Sequence, residues 1–254
     1  YLGYPNTTGL NTVNYRITDS LADPPGDADI LHTENLTRLP DCFLCYTPCK
    51  ESPDCSPAPS EINNYITFGS FNVLAKISDE CVKCWSTILN QVKESKLVLK
   101  SAGLEDPDTR IYLSNKFKQH NIDPHRLEMI PRTNDIRSHL QQYSRVDISL
   151  DTFPYNGTTT TCESLWMGVP VISLRGNRHA GRVGESLLTQ VGHSELVANN
   201  PEQYISIARN LAENTNEILS YRNTLRNRIT SSPLCDGPGF TSLLEQAFTG
   251  MLRT

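Results

Sequence analysis

Signatures of several common protein classes are missing from this sequence of 254 residues. No apolar run approaches the length of a membrane span, so a membrane protein is not expected. The sequence has no Walker A motif, no HExxH motif and no nucleophile elbow, which disfavours NTPases and hydrolases. A GxGxxG motif is also absent after the first strand of the predicted main lobe, which disfavours a dehydrogenase.

Neither an excess of positive charge nor a high density of cysteine is present. The net charge of −5 and the pI near 5.7 argue against nucleic acid or an anionic membrane as the main partner. The eight cysteines are too few for a small scaffold held together by disulfides. The chain opens with YLGYPNTTG, without an initiator methionine, and we therefore expect a fragment of a longer protein.

Four of the cysteines lie close together in a C-x2-C-x3-C-x5-C arrangement, namely Cys42, Cys45, Cys49 and Cys55. Closely spaced thiolates are typical ligands of a tetrahedral zinc ion. The alternative is that Cys42 and Cys45 pack as small hydrophobic residues in the strand-like run CFLCY. Cys81 and Cys84 have the same two interpretations, on a predicted helix that also contains Trp85. We favour packing for both groups and expect no metal site.

Strand and helix patterns divide the chain into two parts. Residues 1–60 carry two extended segments, around Val13–Ile17 and Leu36–Tyr46, and a linker rich in proline, serine and charge. From residue 61 to residue 254, strand-like runs alternate with helical patterns. This alternation predicts a doubly wound, Rossmann-like α/β lobe of about six parallel strands. The predicted helices are 78–92, 107–120, 134–143, 183–191, 200–228 and 240–252.

One stretch, Val146–Leu174, has the order buried strand, Asn-Gly loop, threonine-rich helix start and second buried strand. The hydroxyls of Thr158–Thr161 and the unpaired N–H groups of a first helical turn are suited to bind an anion. Glu163 follows within the helix, where its carboxylate could accept hydrogen bonds from ribose hydroxyls. The simpler alternative, in which one threonine caps the helix and the others face solvent, explains less of this order. We predict a diphosphate-and-ribose site at the carboxyl edge of the sheet.

Five further residues are candidates for substrate contacts. Lys76 follows the first strand of the main lobe, where its charge would stabilise a diphosphate leaving group, although a solvated lysine is the simpler interpretation. His139 lies on the preceding helix and could bind a phosphate, stack near a base or simply pack. Tyr155 belongs to the Asn-Gly loop. Arg182, and more weakly His179, could contact substrate or hold the structure together. These residues favour sugar-nucleotide chemistry, which works by orientation and charge stabilisation.

Several segments carry a family resemblance: LGYPNTTG, YRITDSLADPP, LPDCFLCYTP, FGSFNVLAKI, DISLDTFPYNGTTTTCESLWMGVPV, HAGRVGESLLTQVG and SSPLCDGPGF. They resemble the catalytic region of the protein O-GlcNAc transferases, especially the SPINDLY branch and its bacterial relatives. The resemblance covers essentially the whole chain. It implies a metal-independent, inverting glycosyltransferase of the GT-B type, in which two Rossmann-like lobes face a nucleotide-sugar cleft. The chain would comprise the C-terminal lobe, 61–254, and a remnant of the N-terminal lobe with a linker, 1–60.

The resemblance also implies roles for the matching residues. Lys76 matches the catalytic lysine that neutralises the departing diphosphate. The other matches bind the nucleotide sugar: His139 the nucleotide, Thr159 and Thr160 the diphosphate, Glu163 the ribose, and Leu2 and Gly3, in a loop of the other lobe, the sugar.

Three positions differ from the animal O-GlcNAc enzymes. Thr158 replaces a histidine, Val73 replaces a polar residue on the base side, and Gln142 replaces an arginine. The SPINDLY branch includes enzymes that transfer fucose from GDP-fucose. The donor therefore stays open between UDP-GlcNAc and GDP-fucose.

We expect the donor-binding part of an inverting protein O-glycosyltransferase that moves GlcNAc from UDP-GlcNAc to Ser or Thr hydroxyls of acceptor proteins. No cofactor, catalytic metal, nucleic acid or membrane is expected. By the same resemblance, the full protein carries tetratricopeptide repeats upstream and acts in the cytoplasm, and in a eukaryote also in the nucleus. The alternatives are a GDP-fucose-dependent enzyme, a GT-B transferase with a small acceptor, and a non-catalytic module that binds a nucleotide or zinc.

Overall fold

The computed structural model describes residues 6–252, and these form two parallel β-sheets with helices packed around the larger one. In the smaller sheet, β1 (Tyr15–Asp19) pairs with β2 (Asn35–Leu39), with Tyr15 opposite Asn35. Both extended segments were predicted, but their pairing was not. The strand-like interpretation of the CFLCY run is wrong, because that run has no regular structure, although Cys42 and Phe43 are buried.

The larger sheet has six parallel strands, as predicted from the sequence pattern. Its members are β3 (Thr67–Ser70), β4 (Lys96–Lys100), β5 (Leu127–Ile130), β6 (Ile148–Leu150), β7 (Val171–Leu174) and β8 (Val197–Ala198). The spatial order is β5-β4-β3-β6-β7-β8. The order of connection reverses between β3 and β6, and in a doubly wound sheet ligands bind in the crevice at such a reversal.

Nine α-helices lie within residues 6–252. They are α1 (Ser60–Asn63), α2 (Asp79–Gln91), α3 (Pro107–Lys118), α4 (Ile136–Gln141), α5 (Thr159–Trp166), α6 (Val183–Gln190), α7 (Pro201–Glu213), α8 (Thr215–Thr230) and α9 (Gly237–Met251). None of these helices combines the length and the apolarity needed to cross a bilayer.

Side-chain caps fix several helix starts where the sequence predicted them. Ser78, Asp106 and Asn200 each accept the N–H three residues on, at 3.1, 2.8 and 2.8 Å. The helical pattern predicted over 200–228 forms two helices, because Asn214 ends α7 and its side chain caps α8. The last helix begins three residues earlier than predicted, since Asp236 caps it and a proline occupies its first turn.

A chain of buried polar contacts connects the core of the larger sheet to its carboxyl edge. Trp85, fully buried on α2, donates its indole N–H to the hydroxyl of Tyr204 at 3.1 Å. That hydroxyl donates in turn to the carbonyl of Asp151, the residue that follows β6, at 2.9 Å. The core thereby holds the loop after β6 in place. The division of the chain near residue 60 into two catalytic lobes stays a prediction.

Candidate functional site

The loop after β6 is held by the carboxylate of Asp151. This carboxylate accepts the backbone N–H of Gly157 at 2.6 Å, the N–H of Thr152 at 2.9 Å and the hydroxyl of Ser173 at 2.7 Å. Its burial raises the pKa of Asp151 to about 6, against the opposite effect of these three hydrogen bonds. Asp151 therefore fixes both ends of the loop that leads into the threonine-rich helix.

The backbone of Gly157 lies directly against the threonine side chains. A Cβ atom at this position would come within 2.5 Å of Thr160 Oγ1, 2.8 Å of Thr161 Oγ1 and 3.1 Å of Asn72 Oδ1. Contacts below 3.0 Å force a neighbour to move. Only glycine fits here while the hydroxyls keep their places.

The threonine run forms the first turn of α5 at the carboxyl edge of the sheet. The first hydrogen bond of the turn joins the N–H of Cys162 to the carbonyl of Thr158 at 3.1 Å. The preceding N–H groups are those that a helix leaves unpaired at its start, and they favour an anion. Thr159 is exposed, while Thr160 donates its hydroxyl to Asn72 Oδ1 at 3.0 Å. The Thr158 side chain makes no capping hydrogen bond.

Lys76 reaches this loop from the neighbouring strand. It ends the short 3-10 turn Leu74–Lys76 after β3, and its ammonium donates to the carbonyl of Asn156 at 2.8 Å. The same ammonium lies 3.8 Å from the centre of the Tyr155 ring. Burial lowers the pKa of Lys76, and the nearby Asp151 carboxylate opposes this in part. Lys76 thus places a positive charge beside the residues that precede the threonine run.

His139 and Glu163, predicted from separate motifs, are in direct contact. His139 Nε2 and Glu163 Oε2 are 3.0 Å apart, and His139 Nδ1 is 2.8 Å from the ammonium of Lys100. An ammonium has only donors, so Nδ1 is the acceptor and the ring proton on Nε2 is donated to Glu163. Burial lowers the pKa of Lys100, whereas the Glu163 carboxylate raises it. The three side chains form a row beside the helix start, with Lys100 and Glu163 buried and His139 partly exposed.

Arg182 lies away from this group. Its guanidinium donates to the carbonyl of Leu21 at 2.7 Å and pairs with Glu185 at 2.9 Å, so it ties α6 to the smaller sheet. His179 is bonded to Asp23 at 2.7 Å on the same side. The structure therefore brings Lys76, Tyr155, the threonines, His139 and Glu163 to one edge, and places Arg182 and His179 beside it. The predicted sugar-contacting residues Leu2 and Gly3 lie outside the described residues.

Three residues of the site were not identified from the sequence, namely Asn72, Lys100 and Asp151. Each is a polar residue at or just after the carboxyl end of a buried strand, and the strands are neighbours in the sheet. A systematic search for polar residues at strand ends would have found them, because carboxyl ends of parallel strands converge on one edge.

The cysteine cluster does not form a metal site in the part of the chain that the structure describes. No group of three or more His, Cys, Asp or Glu side chains between residues 6 and 252 is arranged to hold a metal ion. The Cys42 thiol contacts the hydroxyl of Ser186 at 3.5 Å, whereas the Cys55 thiol points to the carbonyl of Trp166 at 3.7 Å. Asn156 begins the triplet Asn-Gly-Thr, a sequence that can accept an N-linked glycan, but its amide is fully buried against Thr152 and is not open to modification.

Two solved structures share the fold of this chain. The chain aligns over its full length with 48% of a mutant O-GlcNAc transferase of Thermobaculum terrenum, at 36% identity and a TM-score of 0.93. The sucrose-phosphate synthase of Thermosynechococcus elongatus shares the fold alone, with 13% identity and a TM-score of 0.64. That alignment covers 94% of this chain and 58% of the synthase chain. The α/β fold is that of the GT-B glycosyltransferases, as the sequence predicted.

Residues 60–244 match glycosyl transferase family 41, and the chain belongs to that family. It is 47% identical over its full length to the probable UDP-N-acetylglucosamine–peptide N-acetylglucosaminyltransferases SPINDLY of Petunia hybrida and Arabidopsis thaliana. The chain spans 27% and 28% of the length of these two relatives. It is 30% identical over 99% of its length to the Arabidopsis relative named SEC, of which it spans 26%.

Proposed function

We propose that this chain is the donor-binding part of an inverting protein O-glycosyltransferase that transfers GlcNAc from UDP-GlcNAc to Ser or Thr hydroxyls. The observation that carries the proposal is the position of Lys76, whose ammonium donates to Asn156 just before the unpaired N–H groups of α5. The SPINDLY relatives and the bacterial structure are all named O-GlcNAc or N-acetylglucosaminyl transferases, which supports the choice of donor.

The diphosphate of the donor would lie across the start of α5. The N–H groups of the first turn and the hydroxyls of Thr158, Thr159 and Thr160 would hold its oxygens, with the helix dipole adding to the attraction. The Lys76 ammonium would neutralise the charge that develops when the bond to the sugar breaks. Since this charge appears only as the bond breaks, the lysine would contribute to kcat more than to binding of the intact donor.

The nucleoside would extend from the diphosphate towards β4. Glu163 lies in that direction, and its carboxylate would accept hydrogen bonds from the ribose hydroxyls. His139 already donates to Glu163 at 3.0 Å and would stay beside the base. No cofactor is needed for this chemistry, because the sugar nucleotide carries its own activated bond.

Isothermal titration calorimetry with UDP and with GDP tests the site in the full-length protein. We expect wild type to bind UDP, and Lys76→Ala to weaken UDP binding by about tenfold, since one charge-assisted contact is lost. Transfer of GlcNAc to an acceptor peptide should fall much further in this variant. Preference for GDP over UDP would show a guanosine donor and would refute UDP-GlcNAc.

Lys96→Ala is the matched control. Lys96 also lies over a tyrosine ring, 4.5 Å from the centre of Tyr65, but it is at the opposite end of β4 from the site. Its replacement should leave UDP binding unchanged. A folded wild-type protein that binds neither nucleotide would contradict the proposal.

A further inference from the structure

A cavity separate from the threonine run lies between the loops that follow β1 in the smaller sheet and β7 in the larger sheet. Its volume is about 410 Å³, within the usual range for small-molecule sites. Asp23, from the loop after β1, and His179, from the turn after β7, both line it. Carboxyl ends of parallel strands are where such folds place their ligands, and here two sheets contribute to one cavity.

Asp23 and His179 form a hydrogen-bonded pair at the wall of this cavity. His179 Nδ1 is 2.7 Å from Asp23 Oδ2, which also accepts from Arg16 at 2.6 Å and from the Thr18 hydroxyl. Burial favours the neutral acid, but the contacts with His179, Thr18 and Arg16 outweigh it, and the pKa of Asp23 lies well below its usual range. A carboxylate in this position holds the proton of the imidazole on Nδ1 and leaves the lone pair on Nε2.

The other histidine of the cavity differs from His179. His32 has both ring nitrogens engaged, Nδ1 with the carbonyl of Ala28 at 2.8 Å and Nε2 with Arg16 at 3.3 Å. The His179 ring packs edge-on against Phe43, with centroids 4.8 Å apart, and its Nε2 has no hydrogen-bond partner in the described structure. His179 therefore presents the available imidazole nitrogen of the cavity.

The charges around His179 are close to balanced. The charged and titratable side chains of the pair and the cavity wall are Arg16, Asp23, Asp27, His32, Arg178 and Arg182. Arg16 is paired with Asp23, and Arg182 with Glu185 on α6. What remains facing the cavity is Asp27 and Arg178, both exposed and of opposite sign.

The turn that carries His179 packs on the loop that carries the Lys76 contact. The carbonyl of Ala180 accepts the N–H of Asn156 at 2.8 Å, and the carbonyl of Asn156 accepts from the Lys76 ammonium at 2.8 Å. Gly181 is so close that a Cβ atom there would lie 2.7 Å from the carbonyl of Pro154. The turn that carries His179 and the ammonium of Lys76 are thus both bonded to Asn156, which connects the cavity wall to the loop before the threonine run.

We propose that this cavity admits the acceptor hydroxyl and that His179 is the general base of the transfer, with Asp23 as its positioning residue. The inference rests on the proposed function. The hydroxyl proton moves to Nε2 of His179 as the oxygen forms its bond to the anomeric carbon of the donor sugar. The bond from that carbon to the diphosphate breaks, its electron pair leaves with the diphosphate, and Lys76 neutralises the charge. The proton of His179 then passes to solvent.

The test is the pH profile of peptide glycosylation by the full-length protein. Because the base must be unprotonated, wild-type kcat should fall on acidification. His179→Gln keeps a polar side chain but cannot take the proton. We expect its kcat to fall about 100-fold or more, its profile to lose the acid limb, and its UDP affinity to stay within about twofold. Added imidazole should restore part of the activity of His179→Ala.

Asp23→Asn tests the positioning role separately. Loss of the carboxylate removes the charge that stabilises the imidazolium, so the acid limb should move to lower pH while KM stays unchanged. A residue with a structural role alone would lower stability without moving this limb.

His193→Gln is the matched control. His193 is likewise buried and bonded to a carboxylate, Glu195 at 2.7 Å, but it lies after α6 and does not line the cavity. It should keep wild-type activity and the acid limb. Retention of kcat or of the acid limb in His179→Gln, with UDP binding intact, would overturn this inference alone. Absence of UDP binding by wild type would overturn the proposed function and this inference together.

Discussion

Asp151 Oδ1 accepts the N–H of Gly157 at 2.6 Å across the loop between β6 and α5. The bond closes this loop on itself and brings the Gly157 backbone against the hydroxyls of Thr160 and Thr161. It also explains why a carboxylate is buried beneath an anion site. The carboxylate does not face the anion, because its oxygens are occupied by loop N–H groups and by the Ser173 hydroxyl.

Gly157→Ala should damage the site through sterics alone. The new methyl group meets Thr160 Oγ1 at 2.5 Å and Thr161 Oγ1 at 2.8 Å, so the helix start must move. We expect a loss of about 1–3 kcal/mol in the free energy of unfolding, measured in urea, and a loss of UDP affinity of at least about tenfold.

Gly250→Ala is the control for that substitution. A Cβ atom at Gly250, on α9, meets nothing within 4 Å, so alanine should be neutral or stabilise by up to about 1 kcal/mol. If Gly157→Ala has the same free energy of unfolding and the same UDP affinity as wild type, the close packing at the start of α5 is not required.

Asp151→Asn should change how stability depends on pH. The folded-state pKa of Asp151 is raised to about 6 from 3.8, so its favourable contribution is fully present below about pH 4. The contribution is lost as the pH rises through 6. Between pH 4 and pH 8, the free energy of unfolding of the variant should therefore rise by about 3 kcal/mol relative to that of wild type. Urea unfolding at each pH measures this difference.

Asp106→Asn provides a control of opposite sign. Hydrogen bonds from Thr109 at the start of α3 lower the pKa of Asp106. The free energy of unfolding of wild type should therefore rise relative to that of this variant as the pH increases from acid. Asparagine still caps the helix, which keeps the fold intact. The same pH trend in both variants would contradict the assigned burial of Asp151.

Local features of the fold were predictable because they depend on neighbouring residues. The caps Ser78, Asp106 and Asn200 and the alternation of apolar runs are written in contiguous sequence, and the structure has them. The pairing of β1 with β2 was not predictable, since register depends on contacts across the intervening turn. The strand prediction for the CFLCY run failed because contacts between residues distant in sequence also decide burial. Phe43 is buried by its tertiary contact with His179 and not by a strand.

The site was predictable to the extent that motifs are contiguous. The threonine run and Glu163 lie in one stretch. Lys76 and His139 were candidates from their positions in the chain, and the family resemblance added their roles. Lys100 was not identified, because its contact with His139 joins the end of β4 to a helix 39 residues away. Likewise, nothing in the sequence places His179 beside Asp23, 156 residues earlier. Both contacts depend on the order of strands in space.

The buried cysteines should behave as unreactive thiols. Burial raises the pKa of Cys42 to about 12 and raises the pKa of Cys162 still further above its usual range. A thiol-labelling reagent at pH 8 should therefore modify Cys42, Cys81 and Cys162 far more slowly in the native protein than in urea, as read by mass spectrometry.

Elemental analysis should give much less than one zinc per chain. Stoichiometric zinc would revive the metal-binding interpretation of the Cys42–Cys55 cluster.

Lys100→Met should weaken recognition of the nucleoside and leave recognition of the diphosphate unchanged. The ammonium of Lys100 donates to His139 Nδ1 at 2.8 Å and so keeps the proton on Nε2, where it is donated to Glu163. Methionine keeps the length of the stem but not the donor. UDP affinity should fall about threefold to tenfold, the usual value of one hydrogen bond, whereas pyrophosphate affinity should match wild type. Lys116→Met, which removes an ion pair with exposed Asp79 and a cation–π contact with Tyr112, should change neither. Equal losses for both ligands would show that Lys100 acts on the diphosphate directly and not through His139.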